Sequence, residues 1–262
     1  VRDILSFSDP AEGEKRDPME SAQANMRRQL PKRFYKNVET GERDGLHHIL
    51  LDGRAVKTPG QTPLALSTAA AASLIAGEFD AQGEEINPAA MPCYRLANTA
   101  LDGVAADMQA VLEDILRYCG TDLLFYRADG PPGLTDRQRE AWDPVVDWAE
   151  RVAGARFTLA EGVMHVAQPR EAIAGLGIHL NTVTDPVILA ALHSMTSLTG
   201  SGLLALAVWK REIDAAQAWE AAHVDEDWNI AQWGEDAEAK ARRTARRAEM
   251  DAADRLIKAL EG

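Results

Sequence analysis

The chain has 262 residues and a mass of 28.5 kDa, room for one large domain or two modest ones. With 46% hydrophobic and 26% charged residues, its composition is globular and excludes collagen-like, low-complexity and wholly disordered classes. The 28 Lys and Arg against 41 Asp and Glu give a net charge of −13, which repels nucleic-acid backbones and anionic headgroups and excludes a general nucleic-acid binder.

Residues 1–32 are polar, carry both charges and read as an arm. Within it, Asp17-Pro18-Met19-Glu20 has the cap, proline and N3 glutamate of a helix start, which predicts a short helix to Arg28. From Arg33 the pattern turns to strands, RFYKNV and then GLHHILLDGRAVKT, with Asp52-Gly53 as a two-residue hairpin turn. Alternation puts Leu46, His48 and Leu50 on one face and His47, Ile49 and Leu51 on the other. PLALST leads into a helix over residues 69–82, where Leu74, Ile75 and Phe79 have helical spacing and Gly83 is the stop.

Beyond about residue 103 helices dominate. Val104, Met108, Val111, Leu112, Ile115, Leu116 and Cys119 form one stripe that Gly120 ends. Thr135-Asp136-Arg137-Gln138 reads as a capping box, Pro144 as a kink or restart, and Gly154 as the end of a helix carrying Trp142 and Trp148. RFTLAEGVMHV reads as a small hairpin turning at Glu161-Gly162. Asp185-Pro186 opens a helix to Leu198, and SGLLALAVW is apolar nearly all round, as a buried helix is. Two helices, over about 214–233 and 235–260, close the chain, the last packing through Met250, Ala253, Ile257 and Leu260. The expected organisation is therefore an arm (1–32), a small α+β domain with antiparallel hairpins (33–103) and a mainly helical domain (104–262).

Phosphate-loop, dinucleotide, zinc-protease, serine-hydrolase and CxxC signatures are missing from the sequence. Cys93 and Cys119 have no neighbouring cysteine or metal-like spacing, which suggests a reduced compartment and neither a disulfide framework nor a zinc site. No run of about 18 apolar residues is present, nor a signal-peptide core at the start, so a cytoplasmic location is expected. His47 and His48 point to opposite strand faces and cannot share one ion. His165, His179, His193 and His223 lack obvious partners. Asp122 and Asp143 read as caps and packing. The run Lys240, Arg242, Arg243, Arg246, Arg247 reads as a solvated helix face, with Glu238 supporting Arg242.

Residues 223–239, HVDEDWNIAQWGEDAEA, concentrate functional residue types. On a continuous helix Trp219, Ala222, Glu226, Ile230 and Trp233 share a face, placing Glu226 inside an apolar stripe. Such an acid is a buried, satisfied group, an acid/base catalyst or an anchor for a partner. Asp225, Trp228, Trp233, Asp236 and Glu238 surround it, and aromatics beside acids can form a recognition surface. His223, three residues from Glu226, leaves open a small hydrolase or lyase using the pair. A purely structural interaction domain is the third reading.

RFYKNV, LDGRAVKTP, PLALST, GEFDAQGEEINPAAMP, RLANTALD, Tyr118 with TDLLFYRA, WDPVVDWA, DEDW and WGEDAEA, in this order, resemble the chaperone family that assembles the catalytic head of F-type ATP synthase by handling its alpha subunit. The resemblance runs from Arg33 to about Arg247, with departures at Cys93-Tyr94 and Asn229. It implies an α+β domain followed by a helical one. It also implies a non-enzymatic, ATP-independent monomer without cofactor or membrane insertion, in the cytoplasm or, in a eukaryote, the mitochondrial matrix. Such a protein would bind the new alpha subunit, shield its beta-facing surface and release it on assembly. Asp225, Glu226, Trp228, Trp233, Asp236 and Glu238 are the residues expected to form or support the contact.

Overall fold

The computed structural model describes residues 30–162 and 164–262; the short helix expected before Arg28 lies outside the described residues. Two strands, β1 (Val38–Arg43) and β2 (Leu46–Leu51), pair antiparallel, with Arg43 opposite Leu46. Asp44 and Gly45, at φ 56° and 75°, make the turn, a left-handed pair that matches the twist of a hairpin. A second such turn, Asp52 and Gly53 at 48° and 78°, leads into β3 (Arg54–Ala55) as the sequence predicts. β4 (Ala65–Leu66) pairs with the start of β2. Ile49 and Leu51 are buried and Leu46 is exposed, so the alternation fixes which face meets the core.

RFYKNV is not the strand. The Asp44-Gly45 turn sets the register so that residues 38–43 pair with β2, and the preceding backbone is held otherwise. Arg33 N donates to Glu84 O at 2.8 Å, and the Asp52 carboxylate accepts from Lys36 N and Asn37 N at 3.1 and 2.9 Å. These bonds hold the Asp52 carboxyl below its ordinary range.

Helix α1 (Ala69–Asp80) starts at the Thr68 cap and buries Ile75 and Phe79 beneath the sheet. Next, α2 (Pro92–Asp102) receives its first amides on the Glu78 carboxylate, at 2.8 Å from both Cys93 N and Tyr94 N. A carboxylate at a helix N-terminus satisfies orphan donors and opposes the helix dipole. α2 precedes the expected boundary at residue 103 yet packs on helices of the C-terminal part, and the apolar core is continuous through both parts. The stripe from Val104 splits into a short 3-10 turn and α3 (Met108–Gly120), capped by Asp107.

β5 (Tyr126–Arg127) leads to α4 (Pro132–Ala153). The helix begins at Pro132, so Thr135 lies inside it and is no N-cap: a proline at the first position already has the helical φ and lacks only an amide that would be orphaned. Pro144 neither ends nor restarts the helix. It lies on the exposed side with Glu140, where solvent can take the carbonyl left without a donor. Gly154, at φ 68°, terminates it as expected.

The expected hairpin over 156–166 does not form among the described residues. β6 (Ala160–Glu161) pairs in parallel with β5, a partner distant in sequence, and Gly162 N donates to Arg127 O at 2.9 Å. α5 (Arg170–Leu180), which the periodicity did not announce, crosses the end of α4. A Cβ on Gly175 would stand 2.1 Å from Ala153 O. Gly175→Ala is therefore expected to push the helices apart and cost about 2–3 kcal/mol in urea unfolding; an unchanged midpoint would contradict that packing.

α6 (Pro186–Thr199) and α7 (Gly202–Trp209) follow, capped by Asp185 and Ser201. Every residue of α7 is buried, as its unbroken apolar sequence predicts, and each large side chain contributes about 1.5–3 kcal/mol. The expected helix over 214–233 is instead two: α8 (Ala215–Ala222) and α9 (Val224–Trp233), broken at His223, whose ψ is 18° at φ −115°. Gly234, at φ 85° and ψ 169°, separates α9 from α10 (Ala237–Glu261). Met250, Ala253 and Ile257 of α10 are buried, and this half of the helix packs on α6, α2 and α1.

Candidate functional site

The break at His223 decides where the acids of residues 225–238 point. His223 is buried, its Nδ1 lies 2.7 Å from Trp219 O, and its ring lies on Trp219 with centroids 4.0 Å apart. Burial, the largest cause, lowers its pKa below the ordinary value, so the imidazole is neutral at pH 7. α9 then departs in a new direction, and of its residues only Val224 is buried. Glu226 is consequently not inside an apolar stripe: its side chain is 44% exposed, with Oε2 3.8 Å from His223 Nε2. The pair invoked for catalysis is one solvated acid and one imidazole committed to packing.

Three polar attachments hold α9 to the body. Gln138, 1% exposed on α4, accepts from Ala128 N at 2.8 Å and donates to Asp225 Oδ1 at 2.7 Å. The Trp228 ring lies under the Arg137 guanidinium at 5.0 Å and against Gly133, where a Cβ would stand 2.9 Å from Trp228 Cη2. Asp227 pairs with Arg243 of α10 at 2.5 Å and raises the pKa of that guanidinium. Aromatic, cation and glycine thus fit as one unit, with the face-on cation adding about 0.5–1 kcal/mol at a partly exposed site.

The outer face of α9 is left to solvent. Glu226 is free of strong attachments, and Trp233 is 86% exposed at the C-terminal end of α9. Asp236 caps α10, accepting from Ala239 N at 2.9 Å, while Glu238 is exposed and pairs with Arg242. Of the six residues expected at the contact, Asp225 and Trp228 fasten α9, Asp236 shapes the next helix, and Glu226, Trp233 and Glu238 face solvent. An open groove of about 540 Å³ runs beside α9 between α4 and α8, lined in part by Val145, Ile213 and Val224.

Gln138, Arg137, Gly133, Asp227 and Arg243 were missed by sequence reasoning. TDRQ matched a capping box, which hid Gln138, and Arg243 stood within a run taken as solvated; it is instead one-fifth exposed and paired. Arg242 and Lys240 do lie on the exposed face. Asp122 caps the turn that follows it, accepting from Leu124 N at 3.1 Å. Asp143 pairs with Arg127 at 2.7 Å. Both fit the cap-and-packing reading. Among the described residues, no group of three or more His, Cys, Asp or Glu could hold a metal ion, and no helix is long and apolar enough to cross a membrane.

The helical body thus carries on its outside an acidic helix with an exposed tryptophan at its end. Comparison with known proteins gives the chain a family. A family model described as ATP12 chaperone protein matches residues 32–150. The crystal structure of an Agrobacterium tumefaciens protein, described as a candidate chaperone, is similar at 52% identity and a TM-score of 0.86, covering 93% of this chain and 91% of that one. Atp12 from Paracoccus denitrificans is 39% identical with a TM-score of 0.81, covering 88% of this chain and 98% of its own; a mutant of it gives the same values. The chain belongs to the ATP12 chaperone family.

Proposed function

We propose that this protein is an ATP-independent assembly chaperone for the alpha subunit of the F-type ATP synthase catalytic head, acting as a monomer in the cytoplasm or mitochondrial matrix. It covers the beta-facing interface of the free alpha subunit and releases it when the beta subunit binds. The carrying observation is Trp233, 86% exposed on an acidic helix of an ATP12-family chaperone. A large aromatic left in water beside acids has the character of a hot-spot anchor with a polar rim. A free subunit interface is an aggregation hazard, and binding of intermediate affinity suppresses it while leaving release to mass action. Glu226, Trp233 and Glu238 make the contact; Asp225, Trp228 and Asp236 hold the helices that present them. The −13 charge keeps the loaded complex soluble.

Purified protein mixed separately with alpha and beta subunits should form a complex with alpha and suppress its aggregation. Binding to neither would overturn the proposal. Glu226→Lys is expected to weaken capture about tenfold or more while leaving the melting temperature within about a degree, since the carboxylate is solvated. Undiminished capture would remove Glu226 from the footprint.

A further inference from the structure

The groove of about 540 Å³ beside α9 has an apolar floor and acidic banks. Val145, Ile213 and Val224 make the floor; the two valines are buried and Ile213 is half-buried. Glu140 stands on the α4 bank and Glu220 on the α8 bank, both exposed. Neither carboxylate has an ion-pair partner among the described residues, because the nearby cations are engaged elsewhere. Arg137, in the same lining, lies over the Trp228 ring at 5.0 Å, Arg139 pairs with Asp136 at 3.2 Å, and Arg243 holds Asp227. Asp147, also exposed, lies on the same helical face as Glu140, two turns on.

Pro144 adds a second feature to the α4 bank. A proline has no amide hydrogen, so the Glu140 carbonyl, one turn back, receives no helical hydrogen bond from it. Both residues line the groove, which brings a free backbone acceptor beside an uncompensated carboxylate. An ammonium or guanidinium group donates several hydrogen bonds and can answer both acceptors. An anion meets repulsion from either bank. The floor, in turn, suits an aliphatic side chain. Val224 is the first residue of α9 and Trp233 the last, roughly 14 Å apart at 1.5 Å per residue, so the groove continues the surface that α9 presents.

We propose that this groove is the docking site for a cationic apolar segment of the client protein. An aliphatic side chain of the client rests on Val145, Ile213 and Val224, and a neighbouring Lys or Arg sits between Glu140 and Glu220. This rests on the chaperone reading above and specifies the chemistry of the client segment. The client is then gripped at both ends of α9, and two linked contacts hold more tightly than either alone.

The test titrates the full chain into three fluorescein-labelled peptides, with anisotropy as the readout: Gly-Ser-Arg-Leu-Leu-Lys-Ser-Gly, the same peptide with Glu for Arg and Lys, and the same peptide with Ser for both Leu. The first is expected to bind about tenfold or more tighter than either control. Glu140→Gln with Glu220→Gln should lower its affinity about fivefold, because both carboxylates are exposed and unpaired and their loss leaves the fold intact. Glu39→Gln with Glu42→Gln, exposed on β1, changes the net charge equally and should leave the affinity within about twofold. No binding, equal binding of the three peptides, an equal loss in both double variants, or no loss in the groove variant would each overturn the proposal. Purified alpha subunit separates this proposal from the reading it rests on. Peptide selectivity without capture of the alpha subunit would support the groove and remove the alpha subunit as client. Capture undiminished in the groove variant would overturn the groove and leave the chaperone reading standing.

Discussion

Trp142→Ala is expected to cost about 3–5 kcal/mol of stability, near the top of the range for a single core truncation. Trp142 is 1% exposed on α4, with the Arg127 guanidinium 5.2 Å from its ring centre and its Nε1 donating to Ala221 O at 2.7 Å. Ala221 is in the last turn of α8, just before the His223 break, so the indole pins the end from which α9 departs. Truncation removes the packed ring and leaves the cation without its aromatic face. Trp142→Phe keeps most of the ring but drops the N–H, and should cost about 1–2 kcal/mol. Urea unfolding of both variants checks the ranking; an alanine variant losing less than the phenylalanine one would contradict it. Client capture should fall with the alanine variant even well below its melting temperature, because the seat of α9 is loosened.

The second large effect is a pH dependence centred on Asp122. Its side chain is fully buried, with one oxygen accepting from Leu124 N at 3.1 Å and the other from Leu203 N, in the first turn of α7, at 3.0 Å. Burial, the dominant cause, raises its pKa to about 6 from an ordinary 3.8, against the lowering effect of those amides. A carboxyl whose folded pKa lies above its unfolded value contributes stability that is complete below about pH 4. That stability is lost as pH rises through about 6, by roughly 3 kcal/mol for a shift of this size. The stability of the wild-type protein relative to Asp122→Asn should therefore decline between pH 4 and pH 7 by up to about 3 kcal/mol. Parallel stability curves for the two proteins across that window would refute the assignment. Asp52 and Asp102, held below their ordinary values by hydrogen bonds, act in the opposite sense at lower pH in both proteins, so the comparison with the asparagine variant isolates Asp122.

Features set by neighbours along the chain were legible in the sequence. The Asp52-Gly53 turn, the Asp185 start, the Gly154 stop and the all-apolar α7 are each fixed within a few residues. The strand assigned to RFYKNV failed because a second turn, Asp44-Gly45, sets the hairpin register from outside that segment. The hairpin at 156–166 failed because the partner of β6 is β5, far away in sequence. The break at His223 carries no proline or glycine to announce it. It follows from tertiary contacts: the imidazole buried on Trp219, the Trp142 bond to Ala221, and the hold of α4 on α9.

The candidate site shows the same division. The sequence by itself determined that acids and tryptophans gather in residues 225–238, that the chain is α+β and then helical, and that ordered stretches resemble one chaperone family. Only the tertiary structure decided which of those side chains are free. A continuous helix would have turned Glu226 inward with Trp219; bending at His223 turns it out. Gln138, Arg137 and Arg243 then occupy Asp225, Trp228 and Asp227. Helical periodicity reports only which residues share a face of one helix, whereas exposure of α9 depends on α4 and α10, brought beside it by the folding of the whole chain.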